Sequence, residues 1–360
     1  MGRKSFYVVA AAISVLFYAP TAYHLAVINN PEEPIVNFLT DAVMYRYNAT
    51  LTQNQMAVLF SSVVSIFILG QFFGSISAST FADRFGRKLA LSWVSSGLSL
   101  FAGVVTFFCR TFRSAELLIL GRVLAGFRTG FSRTVAGLYV IECSPADVRG
   151  ALGAFLDFSA CIAVFMASLL SMPFILGGEE HWHYLLSIDV ILAVVGLAVG
   201  LYLPESPQFS LVMRHDLAKA TESIRFSHGK KANVDLALSE IYELDKLNPS
   251  SAESENDSVE EISKSRIYII SGILGSLPAV LSYLSLSSYT TPILQNVGLS
   301  LETAQYYTLV MGGFEMLGGS LSIIVNQYCP RRLVILSTSI GMVIGTLSFA
   351  RSLWIFMKQY

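Results

Sequence analysis

Long apolar runs alternate with short polar segments along most of the chain, and each run is about as long as a bilayer is thick. A membrane span needs about 20 predominantly apolar residues. Inside lipid such a run has to be helical, because no water is present to satisfy the backbone. The pattern therefore predicts nine transmembrane helices: 5–28, 57–79, 89–109, 117–141, 150–176, 184–203, 267–291, 304–326 and 333–350.

A long polar segment, residues 204–266, divides these spans into two groups. We expect residues 1–203 to form a six-helix transmembrane half and residues 267–360 to form an incomplete C-terminal half of three spans. Apolar residues recur at helical spacing over 236–247, which predicts short amphipathic helices under the bundle. The stretch 249–261 is rich in serine and acidic residues, a composition typical of a flexible linker.

The composition favours a polytopic membrane protein. Of the 360 residues, 53% are hydrophobic and only 14% are charged, whereas soluble domains average roughly 25% charged residues. The formal net charge of -1 argues against nucleic acid as a partner, since a phosphate-binding surface needs a basic excess. The four cysteines include no metal-binding pair, and the sequence shows no glycine-rich phosphate loop. We therefore predict no metal, no cofactor and no enzymatic activity.

The lysines and arginines of the short loops place the N-terminus in the cytoplasm by the positive-inside rule. With this orientation the segment 204–266 is cytoplasmic as well. The inner loops then carry Arg84, Arg87, Lys88 and Arg149, and the outer loops carry Arg46, Arg110 and Arg113. The first apolar run is interpreted as a permanent helix, because it is long and lacks a small-residue cleavage site.

Two glycosylation sequons fall on opposite sides of the predicted membrane. Asn48-Ala49-Thr50 lies outside, and we expect Asn48 to carry a glycan. Asn256-Asp257-Ser258 lies inside and is expected to stay unmodified. Three-residue patterns also arise by chance, but the opposite expectations for the two sites make them a test of the topology.

Three charged motifs stand where predicted helices meet the cytoplasm. Asp83-Arg84-Phe85-Gly86-Arg87-Lys88 joins the second and third spans, and Pro204-Glu205-Ser206-Pro207 follows the sixth. Between them, Glu142 and Arg149-Gly150 flank the loop after the fourth span. Carboxylates and guanidiniums at helix ends form strong bidentate pairs. A single such motif is explained by simple positive-inside topology, whereas three in this order indicate a latch between helix ends.

These motifs resemble those of the major facilitator superfamily and, more narrowly, of sugar porters of the facilitative glucose transporter type. The first motif matches the family's D-R-x-G-R-R/K loop, and the run from Glu142 to Gly153 matches E-x-S-P-x-x-x-R-G-A-L-G. The third matches P-E-S-P-R, with Gln208 in place of the final arginine. The resemblance covers all predicted spans and is strongest up to Pro207.

The resemblance implies an all-α membrane fold and a cytoplasmic gating latch that holds the outward-open state. The latch would consist of Asp83, Arg84, Arg87, Glu142, Arg149 and Glu205. Exposed ion pairs contribute only about 0–1 kcal/mol each. A network of them can nevertheless bias two states that differ by a few kcal/mol.

Ionisable residues inside the spans are the candidate site residues, because a charge within the bilayer usually faces a cavity or a partner. Arg133 lies about 13 Å from the inner end of the fourth span, and Asp157 about 10 Å from the inner end of the fifth. Similar depth on adjacent helices predicts that they pair. Glu315 is expected near the midplane, either protonated, coupled to protons or paired with an arginine of the fourth span. Asp189 is expected near the outer end of its span, within reach of water.

The resemblance places Asp157 and Glu315 at two positions where sugar porters carry an amide that binds the sugar. Three further amide positions hold Pro278, Ala279 and Leu284. A carboxylate only accepts hydrogen bonds, whereas an amide also donates them. We assign the predicted substrate cavity to Asp157, Arg133, Glu315, Tyr289 and His24. For His24 and Tyr289, each taken alone, plain packing is the favoured interpretation.

The leading hypothesis is a sugar-porter transporter that moves a small polar solute, hexose-like or other, by alternating access. The alternatives are a carrier of a charged non-sugar solute, and a non-transporting paralogue that serves as a sensor or interaction protein. Superfamily transporters pair two six-helix halves, so nine spans predict a chain truncated after the ninth. The resemblance implies the plasma membrane as the location.

Overall fold

The computed structural model describes residues 3–229 and 233–246, and residues 290–351 apart from positions 292, 296, 331, 332, 335, 342, 346, 349 and 350. Helices dominate throughout this part of the chain, and none of its residues lies in a β-strand. The predicted all-α fold is confirmed for these residues.

The first span is interrupted by one wider turn. It consists of α1 (Arg3–Ile13), a π-helical turn (Ser14–Tyr18) and α2 (Pro20–Ala26). The chain continues through α3 (Glu32–Tyr47), α4 (Gln53–Phe85), α5 (Ser95–Thr111), α6 (Ala115–Cys143), α7 (Arg149–Leu170), α8 (Trp182–Leu186), α9 (Asp189–Tyr202), α10 (Leu217–His228), α11 (Val234–Lys246) and α12 (Leu301–Tyr328).

Six of the described helical segments are long and apolar enough to cross a membrane. They are Phe6–Ala26, Gln53–Phe85, Leu89–Thr111, Arg149–Leu170, Trp182–Tyr202 and Leu301–Val325. With 29 residues, α6 is also long enough, although three arginines interrupt its apolar surface. Together these helices account for the six predicted N-terminal spans and for the predicted span 304–326.

Two other predicted spans are described only in part. The span 267–291 and the linker 249–261 lie outside the described residues, except for the helical Thr290 and Thr291. Within 333–350, the described positions are helical. The division into halves at 1–203, 204–266 and 267–360 stays a prediction. Within the middle segment, α11 covers most of the stretch expected to form an amphipathic helix.

The predicted span 150–176 ends early, at Leu170. Met172 adopts an extended conformation, and a short π-helical turn begins at Pro173. Proline has no amide hydrogen to donate to the preceding turn and clashes with it, so the helix stops before this residue.

Small residues allow α4 and α6 to cross at close range. Gly126 lies against the backbone of Phe67, and Gly130 lies against the backbone of Gln71. A Cβ atom at either glycine would overlap a carbonyl oxygen of α4. Small residues spaced four apart are a common means of bringing membrane helices into direct backbone contact.

The outward faces of the long helices are strongly apolar. On α4, for example, Leu69, Phe72, Phe73 and Ile76 are all exposed. A monomeric soluble protein rarely exposes an apolar surface of this extent. Since these helices also have the length of membrane spans, the exposed faces are the surfaces that contact lipid.

Helix α3 covers the end of the bundle opposite the charged motifs. Its apolar residues Ile35 and Leu39 are buried, and its last turn is fixed by Glu116, which accepts hydrogen bonds from Arg46 and Tyr47. The bond to Glu116 and the charge of that carboxylate raise the pKa of the Tyr47 phenol. The helix ends at Asn48, which is exposed and adopts a left-handed conformation with φ of 50°.

Candidate functional site

The predicted pair of Arg133 and Asp157 is present, and a third residue joins it. The Arg133 guanidinium lies 4.0 Å from the Asp157 carboxylate. Tyr18 bridges the two: its hydroxyl donates to Asp157 at 2.7 Å and accepts from Arg133 at 3.1 Å. The guanidinium also lies 4.6 Å from the centre of the Tyr18 ring, a favourable cation–π distance. The first, fourth and fifth spans therefore meet at one polar point, here named the triad (Tyr18, Arg133 and Asp157).

The triad faces open space rather than the core of the N-terminal helices. The side chain of Arg133 is 41% exposed and that of Asp157 is 68% exposed. The opposite face of α7 is buried, since Leu156 and Ser159 pack towards the first span. The sequence does not predict this role of Tyr18, because a tyrosine within an apolar run gives no sign of its contact with a residue 139 positions away.

Glu315 lies on the helix that packs against this face of α7. Gly319, one turn further along α12, contacts Cys161 of α7, and Cys161 lies one turn from Asp157 along α7. Among the described residues, no lysine, arginine or histidine nitrogen lies within 4.0 Å of Glu315. The two carboxylates thus stand on facing helices, and no arginine of the fourth span, which the structure describes in full, pairs with Glu315.

Buried hydrogen bonds tie together the helix ends that lie opposite the charged motifs, and the sequence gives no sign of these bonds. The Thr291 amide donates to Asn29 at 3.1 Å, and its hydroxyl donates to Asn30 at 2.9 Å. Asn30 in turn donates to Ser171 at 2.9 Å, and Gln305 donates to the Asn30 carbonyl at 3.3 Å. We name this cluster the outer seal (Asn29, Asn30, Ser171, Thr291 and Gln305). Tyr289 lies outside the described residues.

At the inner side, Arg87 holds two carboxylates. Its guanidinium lies 2.9 Å from Asp83 and 3.1 Å from Glu142. It also donates to the Ala82 carbonyl at 3.2 Å, near the end of α4. Both Arg87 and Glu142 are buried, and Glu142 accepts a further hydrogen bond from the hydroxyl of Ser206. This connects the second, fourth and sixth spans.

Glu205 completes the connection without contacting an arginine. Its carboxylate accepts from the backbone amides of Lys88 and Ser206, each at 2.9 Å. The structure therefore brings four of the six predicted latch residues into one cluster. The other two, Arg84 and Arg149, have no carboxylate within 4.0 Å in the part of the chain that the structure describes.

His24 does not lie with the triad, and Asp189 does not reach water. Asp189 is fully buried rather than close to water, and His24 is only 1% exposed. The two side chains lie 3.0 Å apart, and Arg128 lies 3.3 Å from the other carboxylate oxygen of Asp189. This cluster sits inside the N-terminal helices, away from the open face that carries the triad. The sequence gives no sign of this cluster, because the depth of a residue along a helix does not reveal which way the helix is turned.

Arg122 extends the buried cluster towards the second span. Its guanidinium donates to the carbonyls of Val63 and His24, both at 3.3 Å, and lies 4.4 Å from the centre of the Phe67 ring. Buried charges have to be paired or hydrogen-bonded, because their desolvation is costly. We name His24, Arg122, Arg128 and Asp189 the buried charge cluster.

The helix arrangement defines a class of protein, the multi-pass membrane proteins of the major facilitator fold. The structure is similar to the xylose transporter XylE from E. coli in a partially occluded inward-open conformation, with a TM-score of 0.68 and 19% sequence identity. The match covers 92% of this chain and 74% of that one. XylE bound to 6-bromo-6-deoxy-D-glucose gives a TM-score of 0.69 over 91% of this chain and 70% of that one, at 19% identity. The predicted fold class is thereby confirmed, whereas its division into six and three helices is not.

The family model "Sugar (and other) transporter" matches residues 7–359, and the chain belongs to this family. It is 30% identical to mouse "Solute carrier family 2, facilitated glucose transporter member 9" over 336 residues, which cover 92% of this chain and 62% of that protein. It is 28% identical to chicken member 1 of the same series over 324 residues, 89% of this chain and 65% of that protein. The chain spans about three fifths of the length of these relatives.

Proposed function

We propose that the protein is a sugar-porter transporter that moves a small polar solute, of hexose-like chemistry, by alternating access. One observation carries this proposal: the exposed Asp157 carboxylate of the triad stands on α7, and α7 packs against α12, the helix that carries Glu315. Ionisable groups within a membrane are costly and mark solute pathways. Membership in a transporter family supports the same conclusion and gives no support to an enzymatic role.

The chemistry of the site suits a polyhydroxylated solute. Each sugar hydroxyl is both a donor and an acceptor of hydrogen bonds. Asp157 and Glu315 accept, Arg133 donates, and the Tyr18 hydroxyl does both. No step of such binding forms or breaks a covalent bond. Solute that enters between α7 and α12 would therefore exchange its hydration shell for contacts with both groups of helices.

Two sets of contacts suit the gating of such a pathway. The outer seal joins the first span to Thr291 and α12, and its rupture would open the site outwards. On the inner side, we propose that Asp83, Arg84, Arg87, Glu142, Arg149 and Glu205 act as the gating latch. Four of these residues already lie in one network, and Arg84 and Arg149 are available to C-terminal partners.

We further propose that the N-terminus is cytoplasmic, that the location is the plasma membrane and that Asn48 carries a glycan. The bias of lysine and arginine in the loops supports the orientation. The exposure of Asn48 at the end of α3 supports its access to modification. On the same basis residues 204–266 form a cytoplasmic segment between an N-terminal half and a shorter C-terminal one.

Uptake into liposomes that contain the purified full chain tests the transport proposal. We expect saturable uptake of a labelled hexose, and a loss of about tenfold or more in the Asp157→Asn variant. Glu240→Gln is the matched control, because Glu240 is an exposed carboxylate of α11 outside the site. Absence of saturable flux for hexoses and pentoses, in a protein that is folded and inserted, would refute the proposal.

A further inference from the structure

The wider turn of the first span ends at Tyr18, the residue that bridges the two charges of the triad. This turn is π-helical over Ser14–Tyr18, and α2 begins at Pro20. A π-helical turn holds one residue more than an α-helical turn. The extra residue changes the direction of the side chains that follow by about 100°, the angle through which a regular helix turns per residue. The turn therefore decides where the Tyr18 side chain points.

The proline after the turn leaves a backbone carbonyl without its usual partner. Pro20 has no amide hydrogen, so it cannot donate to the carbonyl of Leu16 one turn earlier. Hydrocarbon offers no hydrogen bonds, and a membrane helix tolerates a proline where neighbouring helices and their polar side chains satisfy the freed groups. Leu16 and Phe17 are both buried. Donors at this turn therefore have to come from adjacent helices.

Two polar side chains of α6 supply these donors. Arg128 donates to the Leu16 carbonyl at 3.3 Å. Ser132, one turn further along α6, donates to the Phe17 carbonyl at 2.8 Å, whereas the Thr129 carbonyl of its own helix is 3.4 Å away. Ser132 is 0% exposed, so water cannot take the place of its hydroxyl. The turn is thus held from α6 by two buried bonds, of which that from Ser132 is the shorter.

Ser132 and Arg133 contact two consecutive residues of the first span. The Ser132 hydroxyl binds the Phe17 carbonyl, and the Arg133 guanidinium donates to the Tyr18 hydroxyl at 3.1 Å. The Phe17 carbonyl lies in the planar peptide unit that ends at the Cα atom of Tyr18. A bond that fixes this plane therefore also fixes the direction in which the Tyr18 side chain leaves the backbone. From this direction the hydroxyl reaches Asp157 at 2.7 Å.

We propose that Ser132 is a positioning residue of the solute site, which fixes the wider turn of the first span so that the Tyr18 hydroxyl bridges the charged pair of the triad. Ser132 is buried and touches no solute itself. The inference rests on the proposed function, because the triad belongs to the proposed solute site. A buried carbonyl without a donor is costly. Without the Ser132 hydroxyl, the turn relaxes towards a regular helix and carries Tyr18 away from Asp157.

Hexose uptake by liposomes that contain the full chain tests this role in a double-mutant cycle. Ser132→Ala should raise the KM for hexose about fivefold, the effect of one lost hydrogen bond. In a Tyr18→Phe background the same substitution should have no further effect, because the hydroxyl that Ser132 positions is already absent. Ser99→Ala is the matched control. Ser99 is equally buried and donates to the Asp189 carbonyl at 2.9 Å, away from the turn, so the KM of this control should equal that of the wild type.

Hydrogen–deuterium exchange of the same preparations reports on the turn independently of transport. The amides of residues 14–22 should exchange faster in Ser132→Ala than in the wild type, and at the wild-type rate in Ser99→Ala. Pro20→Ala is a second variant, placed at the turn itself. Alanine adds an amide hydrogen and favours a regular helix. The unfolding midpoint of Pro20→Ala should therefore be unchanged or higher, while its KM for hexose rises.

Four results would overturn the positioning role. They are unchanged exchange at the turn in Ser132→Ala, an equal rise in KM with and without the Tyr18 hydroxyl, a rise in KM in Ser99→Ala as large as that in Ser132→Ala, and an unchanged KM in Pro20→Ala. Absence of uptake by the wild-type chain would refute the transport proposal instead. Hydrogen exchange would then decide by itself whether Ser132 fixes the turn.

Discussion

His24 of the first span and Asp189 of the sixth lie 3.0 Å apart, and both are sealed from solvent inside the N-terminal helices. Asp189 also faces Arg128, so one carboxylate is shared by two basic groups from different spans. These contacts join three spans at a single point. They hold the N-terminal helices together behind the open face that carries the triad.

We predict that Asp189→Asn strongly destabilises the protein. The substitution leaves Arg128 buried without its counter-charge, and breaking a buried pair in this way costs about 3–5 kcal/mol. Thermal unfolding of the purified protein in detergent is the measurement, with Asp157→Asn as the control. The ion pair between Asp157 and Arg133 is partly exposed, so it should contribute no more than about 1 kcal/mol to the free energy of unfolding. Equal unfolding midpoints for the two variants would contradict the structural role given to Asp189.

Exchange of the triad charges provides a second prediction. Arg133→Asp and Asp157→Arg should each abolish uptake, because each places two like charges beside one another. The double exchange should recover surface expression and part of the flux, since the ion pair is restored with its direction reversed. If the double variant shows no more uptake or surface expression than either single variant, the pairing of these side chains is not required for function. Tyr18→Phe should reduce uptake without affecting expression, because only the bridging hydroxyl is removed.

The helix crossing between α4 and α6 predicts a contrast between two glycines of one helix. Gly130→Ala should destabilise the protein by roughly 1–3 kcal/mol, because the new methyl group meets the α4 backbone at Gln71. Gly137→Ala should be neutral or stabilising by up to about 1 kcal/mol, since its added Cβ meets nothing within 4 Å. Chemical or thermal unfolding of both variants in the same detergent is the measurement. If Gly137→Ala destabilises the protein as much as Gly130→Ala does, the close approach of α4 and α6 at Gly130 is contradicted.

The outer seal predicts a change in accessibility when it is weakened. Asn30→Ala removes hydrogen bonds to Thr291 and Ser171, each contributing about 1 kcal/mol. The site should then open outwards more often. Labelling of Cys161 by an impermeant thiol reagent from the outside, in a Cys329→Ser background, should accelerate severalfold. Asn37→Ala is the control, because Asn37 bonds to Glu179 at the surface and not to the seal. Unchanged labelling in Asn30→Ala would show that these bonds do not hold the outer side closed.

The two sequons predict the orientation independently of transport. When the chain is expressed in a glycosylating host, Asn48→Gln should abolish a mobility shift that glycosidase also removes, whereas Asn256→Gln should leave the shift unchanged. The physical reason is that only one of the two segments reaches the compartment where glycans are attached. A shift that depends on Asn256 would reverse the proposed topology.

Local composition is enough to predict the helices and the positions of the charged motifs between them. An apolar run of sufficient length has one stable conformation in lipid, so the spans could be predicted from local composition alone. Arg87 and Glu142 could be assigned to one latch because the start of the third span and the end of the fourth are predicted on the same side of the membrane. The pairing of Arg133 with Asp157 followed from a count of residues along two adjacent helices, and the structure confirms it.

The rotation of each helix about its axis cannot be read from local composition. Asp189 is buried against His24 and Arg128, although its position near the end of a span predicts contact with water. Asp157 is largely exposed, although its neighbours in the sequence are as apolar as those of Asp189. The bridge from Tyr18 to Asp157 and the contacts of Asn30 with Thr291 join residues more than a hundred positions apart. The position of a residue within an apolar run predicts how deep it lies in the bilayer. The rotation of a helix about its axis depends on the packing of its neighbours, and that rotation separates a residue of the core from a residue of the site.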